Sequence, residues 1–149
     1  RPHSHDGELE TVFLAGEELY LAIPKQDADL WPTEPTLACL QSKPFLMYSP
    51  YEARYFHNLL SSCFQREDVL PQVVEYVAQM HTMLALVQSG IGVALIPRSA
   101  SSLHFEGILL RQVITTPPKP VEMVYSYRKD NNNPALETFL HAVLPEFKS

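Results

Sequence analysis

Three short stretches hold the residues from which chemistry could come: Tyr48-Ser49-Pro50-Tyr51, Gln79-Met80-His81-Thr82 and Ile96-Pro97. Each ends or follows a run that reads as a strand, and the first two open helices. In open α/β folds, ligands collect outside the carboxyl ends of strands. A helix N-terminus adds backbone N–H groups without acceptors, and its dipole favours negative charge. Tyr48, Ser49, Tyr51, Gln79, His81, Thr82 and Pro97 are therefore the candidate binding residues. Two helix N-termini, at Ser49 and around His81, would aim their N–H groups at one crevice, which suits a small anion or carboxylate.

Each residue also has a plainer reading. Ser49, Pro50 and Glu52 form a capping box, which is a structural task. His81 and Thr82 contact ligand, cap their helix or do both, and His81 would hold a carboxylate only while donating, so pH dependence tests it. Tyr48, Tyr51 and Tyr55 read equally as core and rim packing. Arg54 reads as a solvated or dimer-interface charge ahead of a ligand clamp.

The parts of an enzyme are missing from the pattern. Ser99, Ser101 and Ser102 follow a strand without a G-x-S-x-G elbow. His57, His81, His104 and His141 show neither H-E-x-x-H nor metal spacing. His3, His5 and Asp6 have no second cluster to complete a coordination shell and read as a frayed terminus. Gly90-Ile91-Gly92 ends a helix, the reverse of a dinucleotide loop. No catalysis, cofactor or metal is expected.

Composition narrows the classes further. The chain has 149 residues, 46% of them hydrophobic, enough for one domain or two small lobes. Its formal net charge is −6 and no basic cluster exceeds Arg128-Lys129, which argues against direct nucleic-acid binding. No apolar run approaches the roughly 18–20 residues that span a bilayer. Cys39 and Cys63 form no C-x-x-C pair; Cys63 lies on an apolar stripe and reads as a buried thiol. A chain that opens at Arg1 without a signal-like segment is expected to continue upstream, in a cytoplasmic protein.

The elements that would position the candidates centre on Gln79 to Ala100. Met80, Met83, Leu84, Val87 and Ile91 recur at i, i+3, i+4, i+7 and i+11, one helical stripe. Gly90 sits where a left-handed residue ends a helix. Val93 to Ile96 is continuously apolar, a strand covered on both faces, and Pro97 stops it. Upstream, Pro44–Tyr48 is a strand, the helix after it carries Phe56, Leu59, Leu60, Cys63 and Phe64 on one face, and Pro71–Ala78 is a β-branched strand. Pro44 to Pro97 thus reads as a βαβαβ unit on a parallel sheet. Leu9–Leu14 and Glu18–Ile23 read as strands, or as one bent strand bulged at Ala15-Gly16. Lys25–Pro35 reads as loop and Thr36–Gln41 as one helical turn. Ile108–Val113 and Val121–Tyr127 are further strands, joined by a proline-rich connector. Asn133 caps a last helix bearing Leu136, Phe139, Leu140, Val143 and Leu144.

This order resembles the effector-binding domain of LysR-type transcriptional regulators. LALVQSGIGVALIPRSA (Leu84 to Ala100) is similar to that family's helix–glycine–strand signature, Glu18 to Pro24 to its crossing strand, Pro44 to Tyr48 to the strand opening its second lobe, and Asn133 to Leu140 to its C-terminal helix. The resemblance implies an α/β, periplasmic-binding-protein-like, two-lobed Rossmann-type fold. Lobe II (residues 24–100) would be complete. Residues 1–23 and 101–149 would supply crossing strands, a partial lobe I and the C-terminal helix. It implies an inducer held between lobes, a homodimer or homotetramer, DNA read by an N-terminal helix-turn-helix outside this sequence, and no membrane partner. A periplasmic solute-binding protein of a transporter is the rival reading, and an enzyme of related fold the third. A reduced first lobe would expose sheet edge and favour association.

Overall fold

A computed structural model of the chain describes residues 9–128 apart from positions 104, 117 and 119, with backbone alone at 9–15 and 122–128. In chain order its regular elements are β1 (Leu9–Glu17), β2 (Leu19–Pro24), β3 (Pro44–Tyr48), α1 (Arg54–Glu67), β4 (Gln72–Val77), α2 (Met80–Gln88), β5 (Ala94–Pro97), β6 (Ile108–Gln112) and β7 (Val121–Arg128). The expected C-terminal helix and the polar residues 1–8 lie outside the described residues.

The backbone divides into two compact units, Glu18–Pro120 and Arg1–Glu17 with Val121–Ser149. In the smaller unit β1 pairs antiparallel with β7. Its register steps from Leu14↔Met123 to Glu17↔Val121, so β1 carries one extra residue across the stretch holding Ala15 and Gly16. The bulge falls where the glycine predicts it.

The larger unit contains the βαβαβ run. β3 and β4 pair in parallel, and β2 lies between β5 and β6 with antiparallel neighbours on both sides. A parallel bridge from Phe45 to Val93, with Leu46 N donating to Val93 O at 2.8 Å, joins the two sets. The strand order is therefore β4-β3-β5-β2-β6. β3, β4 and β5 share one direction, as a βαβαβ unit requires. Leu21, Ile23, Phe45, Leu46, Leu95 and Ile96 are fully buried in the sheet, and Leu60, Met83, Leu84 and Val87 pack down on it from the helices. Each such side chain contributes about 1.5–3 kcal/mol through the area it removes from water. Phe45 and Phe64 meet edge to face at 5.3 Å, tying α1 to β3.

Both helices end in the same pair of backbone bonds. After α2, Gly90 N donates to Val87 O and Ile91 N to Leu86 O; after α1, Asp68 N donates to Gln65 O and Val69 N to Phe64 O. Gly90 has φ +82° and Asp68 φ +57°, the left-handed geometry this ending needs. The turn at Gly90 also corrects the predicted stripe. Ile91 leaves the helix axis there and is half exposed instead of buried.

Two local expectations fail for identifiable reasons. Lys25–Leu30, read as loop, coils into short 3-10 turns kinked at Asp27, with Lys25 N held by Gly107 O at 2.7 Å. The capping box does not open α1. Ser49 Oγ accepts from Tyr51 N and Glu52 N, both at 3.2 Å, but these close a single turn, and the helix proper starts at Arg54 after an uncapped Ala53. The reciprocal half of the box cannot form, because Ser49 N already donates to Val77 O at 2.9 Å in the sheet.

Candidate functional site

The parallel direction of β3, β4 and β5 brings three of the candidate stretches to one sheet edge. The Ser49 N–Val77 O bond sets the end of β3 beside the end of β4, two residues before Gln79. Tyr48 Oη donates to Leu95 O at 2.8 Å, which sets the same end of β3 against β5, two residues before Pro97. Pro97 itself is buried, pairs with Leu19, and leads into a short 3-10 turn, Arg98–Ser102.

The side chains at this edge differ in state. Tyr48 is only 4% exposed, stacks on Phe56 at 5.1 Å, and its phenol is pushed above the ordinary range by burial. Its hydroxyl proton is already donated to Leu95, so Tyr48 stands in this structure as a core pillar. Ser49 is buried and its oxygen accepts two backbone N–H groups, leaving its hydroxyl proton as a donor. Tyr51 projects outward, 86% exposed. Gln79, His81 and Thr82 are exposed, and the His81 ring lies 6.2 Å from that of Phe105.

One of the two expected anion-facing N-termini is corrected. At Ser49 the N–H groups of Tyr51 and Glu52 bond to Ser49 Oγ and that of Ala53 to Ser49 O, so this turn has no free donors to offer a ligand. The start of α2, like that of α1 at Ala53, has no side-chain cap: Gln79 is extended and Met83 N is the first amide bonded back, to Gln79 O at 3.0 Å. The N–H groups of Met80, His81 and Thr82 precede that first bond and have no intrahelical acceptor.

Other features bear on chemistry. Burial raises the Cys63 thiol, Arg66 lowers it, and Arg66 Nη2 lies 3.6 Å from its Sγ, so the buried-thiol reading holds. Among the described residues no three His, Cys, Asp or Glu side chains gather in a metal-binding group, and no helix is long and apolar enough to cross a membrane. Sequence reasoning missed Phe105 beside His81, since nothing in the order of residues joins the 98–107 crossover to α2. It also missed a cavity at the opposite sheet edge, lined by Trp31, Lys43 and Asp27 among others. A lone tryptophan amid prolines was its only signal.

Comparison with known proteins places these features in a family. The model of the "LysR substrate binding domain" matches residues 1–148. The HTH-type transcriptional regulator IlvR of Caulobacter vibrioides is 30% identical over 107 residues, 72% of this chain and 36% of the regulator. AlsR of Bacillus subtilis is 28% identical over 123 residues, 81% of this chain and 40% of its own length. The chain thus spans well under half of either relative. CbnR, a LysR family transcriptional regulator, superposes with a TM-score of 0.78 at 22% identity, over 95% of this chain and 49% of that one. The effector binding domain of BenM with its effector benzoate gives 0.71 at 18%, over 95% and 64%. That of QuiR in complex with shikimate gives 0.71 at 19%, over 96% and 67%. At these identities the structures speak for the fold, which is the α/β, periplasmic-binding-protein-like fold of LysR effector-binding domains.

Proposed function

This chain belongs to the LysR substrate-binding-domain family, and from that membership we propose that it senses a small carboxylate at the C-terminal edge of its parallel strands for a transcriptional regulator. One observation carries the ligand class: the uncapped start of α2 at the edge where β3, β4 and β5 end. Three N–H groups without an intrahelical acceptor, together with the helix dipole, favour an anion there. The Ser49 hydroxyl proton, the Thr82 hydroxyl and the His81 ring supply further donors, Gln79 an amide, and Tyr51 and Pro97 flanking surface. The ligands in the BenM and QuiR structures support the class, since benzoate and shikimate are each a ring bearing one carboxylate.

The reading assigns the chain no reaction of its own and a cytoplasmic location. Effector binding would bias two arrangements of a homodimer or homotetramer, by no more than the difference in affinity for the two. DNA contact would fall to another part of the regulator, in keeping with the acidic charge of −6 here.

The test is a titration with benzoate, shikimate and the neutral benzamide, followed by amide NMR and calorimetry. A carboxylate should bind and shift the Met80, His81 and Thr82 amides, benzamide should not, and Thr82→Ala should weaken binding about tenfold, the loss of one hydrogen bond to a charge. Equal binding of benzamide, or no shift at residues 80–82, would overturn the assignment.

A further inference from the structure

The opposite edge of the same sheet holds a cavity of about 220 Å³ lined by Pro24, Leu30, Trp31, Pro44 and Val93, with Asp27 and Lys43 also on its wall. It lies where β3 begins and β2 ends, so the effector reading neither uses it nor bears on it. Its apolar side has one aromatic face and two proline rings. Leu30 stands 76% exposed on its rim.

The wall is held in place. Arg111, on β6, donates from Nη1 to Trp31 O at 2.7 Å and to Pro32 O at 2.9 Å, while Lys25 N bonds Gly107 O at 2.7 Å. Both ends of the 25–32 segment are therefore pinned to the sheet side of the unit. Preorganisation of this kind removes the ordering cost that otherwise weakens a site.

Size and charge specify the occupant. A dry cavity of about 150 Å³ admits benzene, so 220 Å³ accommodates one ring with a short substituent. A purely anionic ligand would lie against the Asp27 carboxylate and a purely cationic one against the Lys43 ammonium. The carboxyl end of α2, at Gly90 on the same wall, adds partial negative charge. A ligand carrying both charges satisfies the whole lining.

We propose that this cavity is a second small-molecule site, for a free α-amino acid with a ring-bearing apolar side chain. The ring stacks on Trp31 between Pro24 and Pro44, the carboxylate faces Lys43, and the ammonium faces Asp27.

Trp31 is the only tryptophan in the chain, so its emission reports this site alone. The experiment titrates the whole chain with L-phenylalanine, 3-phenylpropanoate (no ammonium) and phenethylamine (no carboxylate), exciting where tyrosine does not absorb, with calorimetry in parallel. L-phenylalanine should shift Trp31 emission saturably, and each truncated analogue should bind about tenfold more weakly. Lys43→Met should weaken phenylalanine about tenfold and tighten phenethylamine, whose ammonium no longer meets a like charge. Asp27→Asn should weaken phenylalanine by a similar factor and tighten 3-phenylpropanoate, whose carboxylate no longer meets a like charge. Circular dichroism confirms that both variants fold. No saturable signal, equal binding of an analogue, or calorimetric binding with Trp31 silent would each overturn the site.

Discussion

The two edges of the larger unit's sheet differ in what they offer a ligand. At the edge with Ser49, Gln79 and Pro97, the strongest feature is backbone: the open N–H groups at the start of α2. At the edge with Trp31, Lys43 and Pro44, the same helix presents its other end, with both of its closing bonds made at Gly90 and Ile91. A parallel sheet forces this polarity, because every crossover helix starts where its strand ends. A helix N-terminus is placed at the first edge by topology, which suits the anion proposed there. The second offers side chains, with a ring and both signs of charge on its wall.

The largest effect comes from removing what both edges share. Phe45→Ala deletes a fully buried ring between β3 and α1, and should cost about 3–5 kcal/mol in urea unfolding and weaken both binding signals together. A cost below about 1 kcal/mol would mean that the edges do not depend on a common core.

Tyr48→Phe probes the C-terminal edge from beneath. It leaves Leu95 O without its donor and should cost about 1–2 kcal/mol at neutral pH. Its pH dependence has a definite sign. The folded-state pKa of Tyr48 is raised by burial, so its contribution is whole below the ordinary phenol value of about 10 and is lost as pH climbs through the higher folded value. Stability measured by denaturant at rising alkaline pH should fall more steeply in the parent than in Tyr48→Phe; parallel curves would contradict the buried phenol.

Arg111→Met should separate the edges. Freeing the Trp31 and Pro32 carbonyls should move Trp31 emission and cost phenylalanine about fivefold in affinity, with carboxylate binding at the α2 end unchanged. An equal loss at both sites would merge them into one cooperative unit.

The smallest effects concern the helix ends. Asp68→Gly should stabilise by about 0.5–1 kcal/mol and Gly90→Ala destabilise by a similar amount, since both positions are left-handed and only glycine takes that geometry without a Cβ cost. Thermal melts of the two variants should shift in opposite directions.

The sequence by itself determined the order of elements, the left-handed turn at Gly90, the bulge near Gly16 and the membership that LALVQSGIGVALIPRSA signals. Those features rest on local causes: hydrophobic periodicity, and the steric freedom of glycine. The Ser49 stretch shows where local reasoning stops. Its capping chemistry was legible and does occur, but the sheet had already taken Ser49 N through Val77, so the turn closed on itself and the helix began later. Only the tertiary structure decided that Tyr48 is a pillar and not a free phenol, that His81 lies beside Phe105, and that Trp31, Lys43 and Asp27 share a wall. Tyr48 with Leu95 and His81 with Phe105 join residues far apart in the chain, and the geometry of all these groupings depends on strand register and on which backbone groups the sheet leaves unbonded, neither of which a local pattern encodes.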